Sequence, residues 1–416
     1  MASRILTTSL IAMAVAVAVS AADTMTGLLT ERARSLQAYR VGNPLSAPVA
    51  TLGSGDGIVV SWDLLGDEHE ELRYNITHCD ARWRPSGLTD SEILASGFND
   101  ARVEAWDYSA ATTVPYVHYT ITLPDEQMSP QLSGNYLLRV YPENEPDSTV
   151  LQCRFMLTEQ TAPVSIEVTD RTDVDYRDAH QQLTVTVDTE RAEVDDIFND
   201  LIVVTGQNGR LDNETALSRP LRVSGRTAVF AHTPELIFEA GNEYRRFETV
   251  TENYPGMGVA DVNYYRPYYH YTLEVDSPRD EVPYSYDRTQ AGAWLPRRAG
   301  ASDSDTEADY GVVHFALEMP EMPGAMVFID GDFVQRRFDA NSQMQFNHAT
   351  GVYERAMLLK QGAYNYRYLV VPPGARRGYT SVVEGDHYET DNRYRVRVYH
   401  RRRGERYDRL IGVGEI

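Results

Sequence analysis

The sequence predicts an all-β protein of three tandem immunoglobulin-like β-sandwich domains, and three observations lead there. The stretch Leu132 to Tyr141, LSGNYLLRVY, joins a Gly suited to a tight corner to a Tyr and then to alternating residues, so that Tyr136, Leu138 and Val140 share one strand face. This order resembles a tyrosine corner, in which a phenol hydroxyl bonds back to the chain at the start of a late strand. It returns at Gln361-Gly362-Ala363-Tyr364, and at Ala240-Gly241-Asn242-Glu243-Tyr244 with one residue inserted; the successive glycines stand 107 and 121 positions apart. Both intervals suit the ~100 residues of one such sandwich. Finally, few stretches hold helical periodicity, whereas alternation of period two recurs along the chain.

An apolar fraction of 42% over 416 residues is enough for several cores. The formal charge of −22 argues against nucleic acid as a partner, because phosphate binding needs a basic face. Twenty-seven Tyr against few Lys suit sheets and wet interfaces. Residues 1–22 read as a signal peptide: Arg4, an apolar run from Leu10 to Val19, then Ser20, Ala21 and Ala22. That run is too short to span a membrane, and no later stretch reaches ~20 apolar residues, so the expected product is periplasmic. Cys79 and Cys153 would either close one bridge or stand as two buried thiols.

In order, the expected units are a first sandwich over 23–158, a second over 159–276, a linker over 277–309, a third, early-set domain over 310–403, and a tail over 404–416. In the first, Leu72, Tyr74, Ile76 and His78 share one face of a strand whose other face carries Cys79. Residues 98–109, with Phe98, Asn99, Asp100, Trp106 and Tyr108, read as a polar-aromatic loop crossing the end of the sandwich. The second should end in the tyrosine-rich run 263–275, at a sheet edge or beyond a bulge because Pro267 cannot donate to a ladder. There Tyr269, Tyr271, Leu273 and Val275 face inward, leaving Tyr268 and His270 outside as an ordinary aromatic face or a docking stripe. The linker, with Pro278, Pro283, Pro296 and the acidic run from Ser302 to Asp309, should be mobile. Its Trp294 is either a hook for a partner or a cover for a core edge. Eight Arg crowd 393–409, as a charged edge strand or as a surface for an anionic partner.

Several segments together resemble the plug proteins of the type IX secretion system of Bacteroidota. They are RYNITHCDARWRPSGLTDSEILASGFND from Arg73, TTVPYVHYTITLP from Thr112, LSGNYLLRVY, RTDVDYRDAHQQLTV from Arg171, and TGVYERAMLLKQGAYNYRY from Thr350. The chain departs from that pattern at Ala81-Arg82 and Ala110-Ala111. The resemblance implies a non-catalytic subunit docked on the periplasmic opening of a giant outer-membrane β-barrel translocon, sealing it when idle and monomeric when free.

Catalytic patterns are missing from the sequence itself. His69-Glu70 lacks the second His of a zinc protease, and neither a nucleophile elbow nor a phosphate loop is present. Asp173, Asp175 and Asp178 lack the Gly and Glu of a calcium loop, so a solvated inter-strand turn is expected. No cofactor or metal is expected. Partner contact is placed at Phe98, Asn99, Asp100, Trp106, Tyr108, Tyr268 and His270. The alternative is a periplasmic glycan-binding protein, suggested by the early-set character of the third domain.

Overall fold

The computed structural model describes residues 24–416; the expected signal peptide lies outside the described residues. Among these, only two four-residue α-helices, Asp90–Ile93 and Ser304–Glu307, interrupt an all-β chain. In the first sandwich, one sheet runs Gly27–Leu28, Leu151–Thr158, Gly134–Pro142, Leu72–Cys79, Ala101–Arg102. The other runs Ala33–Arg40, Ile58–Leu65, Tyr116–Leu123, Ala105–Tyr108. Both sheets turn their alternate residues inward, with Trp62, Tyr74, Tyr136, Leu138 and Phe155 in one core.

Strand pairing departs from the sequence-based boundaries of the other two units. The second sandwich, from Val164–Thr169 onward, is completed by Tyr394–His400 and Arg409–Glu415, which extend the sheet of Leu201–Gln207. Tyr394, Val396, Val398 and Ile411 thus join the core of Leu183 and Val185. Residues 394–403 had been expected in the third domain, and 404–416 as a tail. Conversely, Arg245–Glu248, Val259–Tyr265 and Tyr268–Leu273, expected in the second domain, pair with strands of the third. The third sandwich is therefore inserted within the second. A boundary read along the sequence assumes consecutive units, which an insertion violates.

Residues 277–309 are not a spacer. Trp294–Pro296 forms a strand against Gly362–Val371, and the Trp294 indole stacks on Tyr364 at 5.2 Å and 6° between planes. The hook reading of Trp294 fails, since burial in the core outweighs exposure of so large an apolar ring. The tyrosine-rich run is also a hairpin, not one strand: it reverses at Arg266-Pro267, so Pro267 sits in the turn. Tyr271 and Leu273 face the core as expected, while Val275 is exposed.

The repeated corner holds at two of its three sites. Tyr136 Oη donates to Leu132 O at 2.9 Å and Tyr364 Oη to Lys360 O at 2.5 Å, each four residues back. Gly134 is required there: its φ is +139°, and a Cβ would meet His78 Nε2 at 2.4 Å. Tyr244 makes no such bond; its hydroxyl meets Asp330 Oδ2 at 3.3 Å in another strand. Cys79 and Cys153 are free thiols on opposite faces of one sheet, with Gly134–Pro142 between their strands. Cys153 lies in the sandwich core and Cys79 in the contact with the second unit, so they do not bridge.

Candidate functional site

Residues 98–108 cross from one sheet to the other, as their composition suggested: Ala101–Arg102 pairs with Leu72–Cys79, and Ala105–Tyr108 with Tyr116–Leu123. Asn99 anchors the loop, accepting from Ile76 N at 2.7 Å and donating to Ile76 O at 2.9 Å. Asp100 accepts from Tyr141 Oη at 2.7 Å and pairs with Arg73 at 3.0 Å. Both polar residues are thus occupied within the fold, and they hold the neighbouring Phe98 out in solvent at 82% exposure. Trp106 is half-buried, stacked on His69 at 4.0 Å, and Tyr108 beside it is exposed.

Tyr268 and His270 are largely committed to the molecule itself. Tyr268 packs with Val114, Tyr116 and Tyr310 between the first and third sandwiches. His270 Nδ1 lies 2.8 Å from Nε2 of His314. The most exposed aromatics of this hairpin are on its other strand, Tyr264 and Tyr265, with Tyr265 63% exposed although its ring meets that of His270 edge-on. Sequence reasoning missed them by treating 263–275 as one strand; the Arg-Pro step in mid-run was the signal for a turn.

Buried ionic joints connect the sandwiches. Between the first and third, Asp63 accepts from Lys360 Nζ and Tyr310 Oη, both at 2.6 Å, and from His118 Nδ1 at 2.7 Å. Lys360 is the single lysine of the chain; its Nζ also donates to Asp305 O at 2.6 Å and lies 4.3 Å from the Tyr116 ring centroid. A compact ammonium on a flexible stem fits three converging partners better than a planar guanidinium. Burial alone would raise the Asp63 carboxyl, but Lys360 and His118 hold it below the usual carboxylate value.

Between second and third, Arg210, paired with Asp212, donates through Nη2 to Gly378 O at 2.5 Å, and Gly378 N donates to Asp212 Oδ2 at 2.8 Å. Within the third unit, Asp330 receives Arg336 Nη1 at 3.0 Å and Arg367 Nε at 3.1 Å, with Tyr244 beside them. Glu384 receives Arg279 Nε at 2.6 Å and Arg245 Nε at 3.2 Å. Burial pushes both acids up, yet their arginines bring both below ordinary values. Between first and second, Tyr399 Oη donates to Asn135 Oδ1 at 2.7 Å, and Asp408 accepts from Ala81 N at 2.9 Å. In the arginine-rich tail, Arg406 pairs with Glu92 of the first sandwich and Arg409 with Glu159 at the junction at 2.7 Å, while Arg401 pairs with Asp408 at 2.7 Å and Arg402 with Glu193 inside the second.

Asp175 binds His180 Nδ1 at 2.6 Å and Thr172 Oγ1 at 2.8 Å within an inter-strand turn. Among the described residues no group of three or more His, Cys, Asp or Glu is placed to hold a metal ion.

The profile of the type 9 secretion system plug protein first domain matches residues 33–159, the first sandwich. The crystal structure of a hypothetical protein from Parabacteroides merdae is 35% identical, covers 94% of this chain and 99% of its own, and superposes with a TM-score of 0.93. The chain belongs to the type IX secretion system plug protein family. The whole three-sandwich body, insertion included, is thus shared with a relative and not confined to the profile-matched part. A solved structure from Corynebacterium diphtheriae aligns at 9% identity over 92% of this chain and 91% of its own, with a TM-score of 0.14, too low to carry an argument. No curated protein matches the sequence. None of these matches indicates a catalytic family, and among the described residues no helix is long and apolar enough to cross a membrane.

Proposed function

We propose that this plug-family protein is a non-catalytic periplasmic stopper, docked on the periplasmic opening of the outer-membrane translocon barrel and sealing it when idle. The observation that carries the reading is the set of buried polar joints between the sandwiches, led by Asp63 with Lys360 between first and third, and by Arg210 and Asp212 with the Gly378 backbone between second and third. A stopper works by occupying space, so its lobes must not hinge apart; parting them would lose the paired contacts together with the apolar surface buried around them, such as Val114, Tyr116 and Tyr310. Contact with the barrel is assigned to exposed aromatics on well-anchored backbone, Phe98, Tyr108, Tyr264 and Tyr265, which offer large area at small entropy cost. Trp106, Asn99, Asp100, Tyr268 and His270 support that surface from behind. Release by cargo or a further subunit then needs only differential affinity for the docked and free forms.

Photo-crosslinking residues placed at 98 and 265 test the reading in intact cells. A crosslinked product containing a very large outer-membrane barrel is expected. Recovery of the intact protein from solubilised outer membranes, with no such barrel in any fraction, would overturn it.

A further inference from the structure

The three sandwiches enclose a cleft of about 1020 Å³, walled by all of them. In a chain of net charge −22 this cleft is basic. Three of its arginines are matched inside the fold: Arg336 by Asp332, Arg395 by Glu415 and Arg397 by Glu214. Arg40, Arg154 and Arg393 also line it, and none has a carboxylate partner among the described residues. Arg154 is the most telling. Its guanidinium lies 4.3 Å from the Trp83 ring centroid and donates through Nε to Thr24 O at 2.6 Å. Burial pulls it down to about 10 in spite of nearby Glu214, whose carboxylate is paired with Arg397. Trp83 lines the same cleft, and its buried Nε1 has no acceptor.

Unmatched positive charge beside an orphaned donor is the arrangement of a site that lacks its anion. The size of the space and its apolar side narrow the ligand. An inorganic anion would occupy a small part of it, and Leu45, Pro48, Val413 and Ile416 offer apolar surface that such an ion cannot use. We propose that the cleft binds an extended, carboxylate-bearing peptide, an acidic segment of a partner polypeptide, through Arg40, Arg154 and Arg393. Bidentate guanidinium–carboxylate pairs would fix the chain direction, with the apolar lining residues against its side-chain stems. The site is independent of the exposed aromatic surface assigned to the barrel, so either can fail without the other.

The test is calorimetric titration of the full mature protein with N-acetylated hexaglutamate at low salt, repeated with acetate and inorganic phosphate. Saturable one-to-one binding of the peptide is expected, weakening as salt rises, although the protein's overall charge repels it. Arg40 and Arg393 are exposed, so R40E/R393E keeps the fold; it should bind at least tenfold more weakly. Absence of peptide binding at millimolar concentration overturns the proposal, as does equal binding by R40E/R393E. Phosphate or acetate binding as tightly as the peptide would overturn the peptide assignment.

Discussion

Asp63→Asn removes one negative charge from the joint between the first and third sandwiches and leaves the shape nearly unchanged. Lys360 would then keep the Asp305 carbonyl and the Tyr116 ring but no carboxylate, at a site where its side chain is 2% exposed. Breaking a buried pair by altering one partner costs about 3–5 kcal/mol. The remaining carbonyl and ring contacts place this case near the lower end, about 3 kcal/mol. If the cost falls on the interface, the joint should open about a hundredfold more often, at 1.4 kcal/mol per factor of ten. Because Lys360 is the only lysine, an amine-reactive ester at pH 8 can label one side-chain position, and peptide mass mapping separates it from the chain terminus. The wild type should label there slowly and D63N about a hundred times faster, with a lower urea midpoint. Equal labelling rates with an unchanged midpoint would show that the pair does not hold the sandwiches together.

The same carboxylates give a pH dependence. Asp63, Asp330 and Glu384 are held below their ordinary values of 3.8, 3.8 and 4.5, so each binds fewer protons when folded. Their contribution is complete above those ordinary values and is lost as pH falls through the lower folded ones; a melting temperature that stays flat from pH 7 to pH 3 would contradict this. Trp294→Ala should cost about 3–5 kcal/mol as a buried aromatic truncation, measured by denaturant unfolding. A surface-like loss near ~0.5 kcal/mol would restore the mobile-linker reading. Both thiols are pushed up to about 12, chiefly by burial, so neither Cys79 nor Cys153 should react with a thiol reagent at pH 8 until the protein unfolds. A mass loss of two hydrogens on oxidation of the folded protein would instead demand a bridge between opposite sheet faces.

What could be read from the sequence was what neighbouring residues decide together. Alternation set the inward face of Leu72, Tyr74, Ile76 and His78, and the corner glycine foretold the bonds of Tyr136 and Tyr364, because both are matters of a few consecutive residues. Tyr244 shares the local pattern yet serves Asp330, a partner 86 positions away, and local spacing carries no signal for that. The arginines near the C-terminus follow the same rule. As a run they suggested an exposed cation surface, but their carboxylates, Glu214, Glu193 and Glu159, come from strands and loops that only the return of the chain to the second sandwich brings near.

The insertion also shapes how the units are held together. A chain that leaves the second sandwich after Ala240 and re-enters at Tyr394 must cross between units twice, and side chains flank both crossings at close range. Tyr244, just past the outward crossing, lies under Arg336 and Arg367 of the third unit, and Asn392, just before the return crossing, donates to Ala240 O of the second at 2.7 Å. Two covalent crossings restrict the second and third units to small relative displacements, which lowers the entropy that their interface must overcome. The first sandwich has only one covalent link, near residue 160, to the rest. Its position against the third unit therefore depends on noncovalent contact alone, and there the chain places its sole lysine against a fully buried aspartate. If one lobe of this body can swing, it is the first, and the Asp63–Lys360 pair is the contact that would have to part.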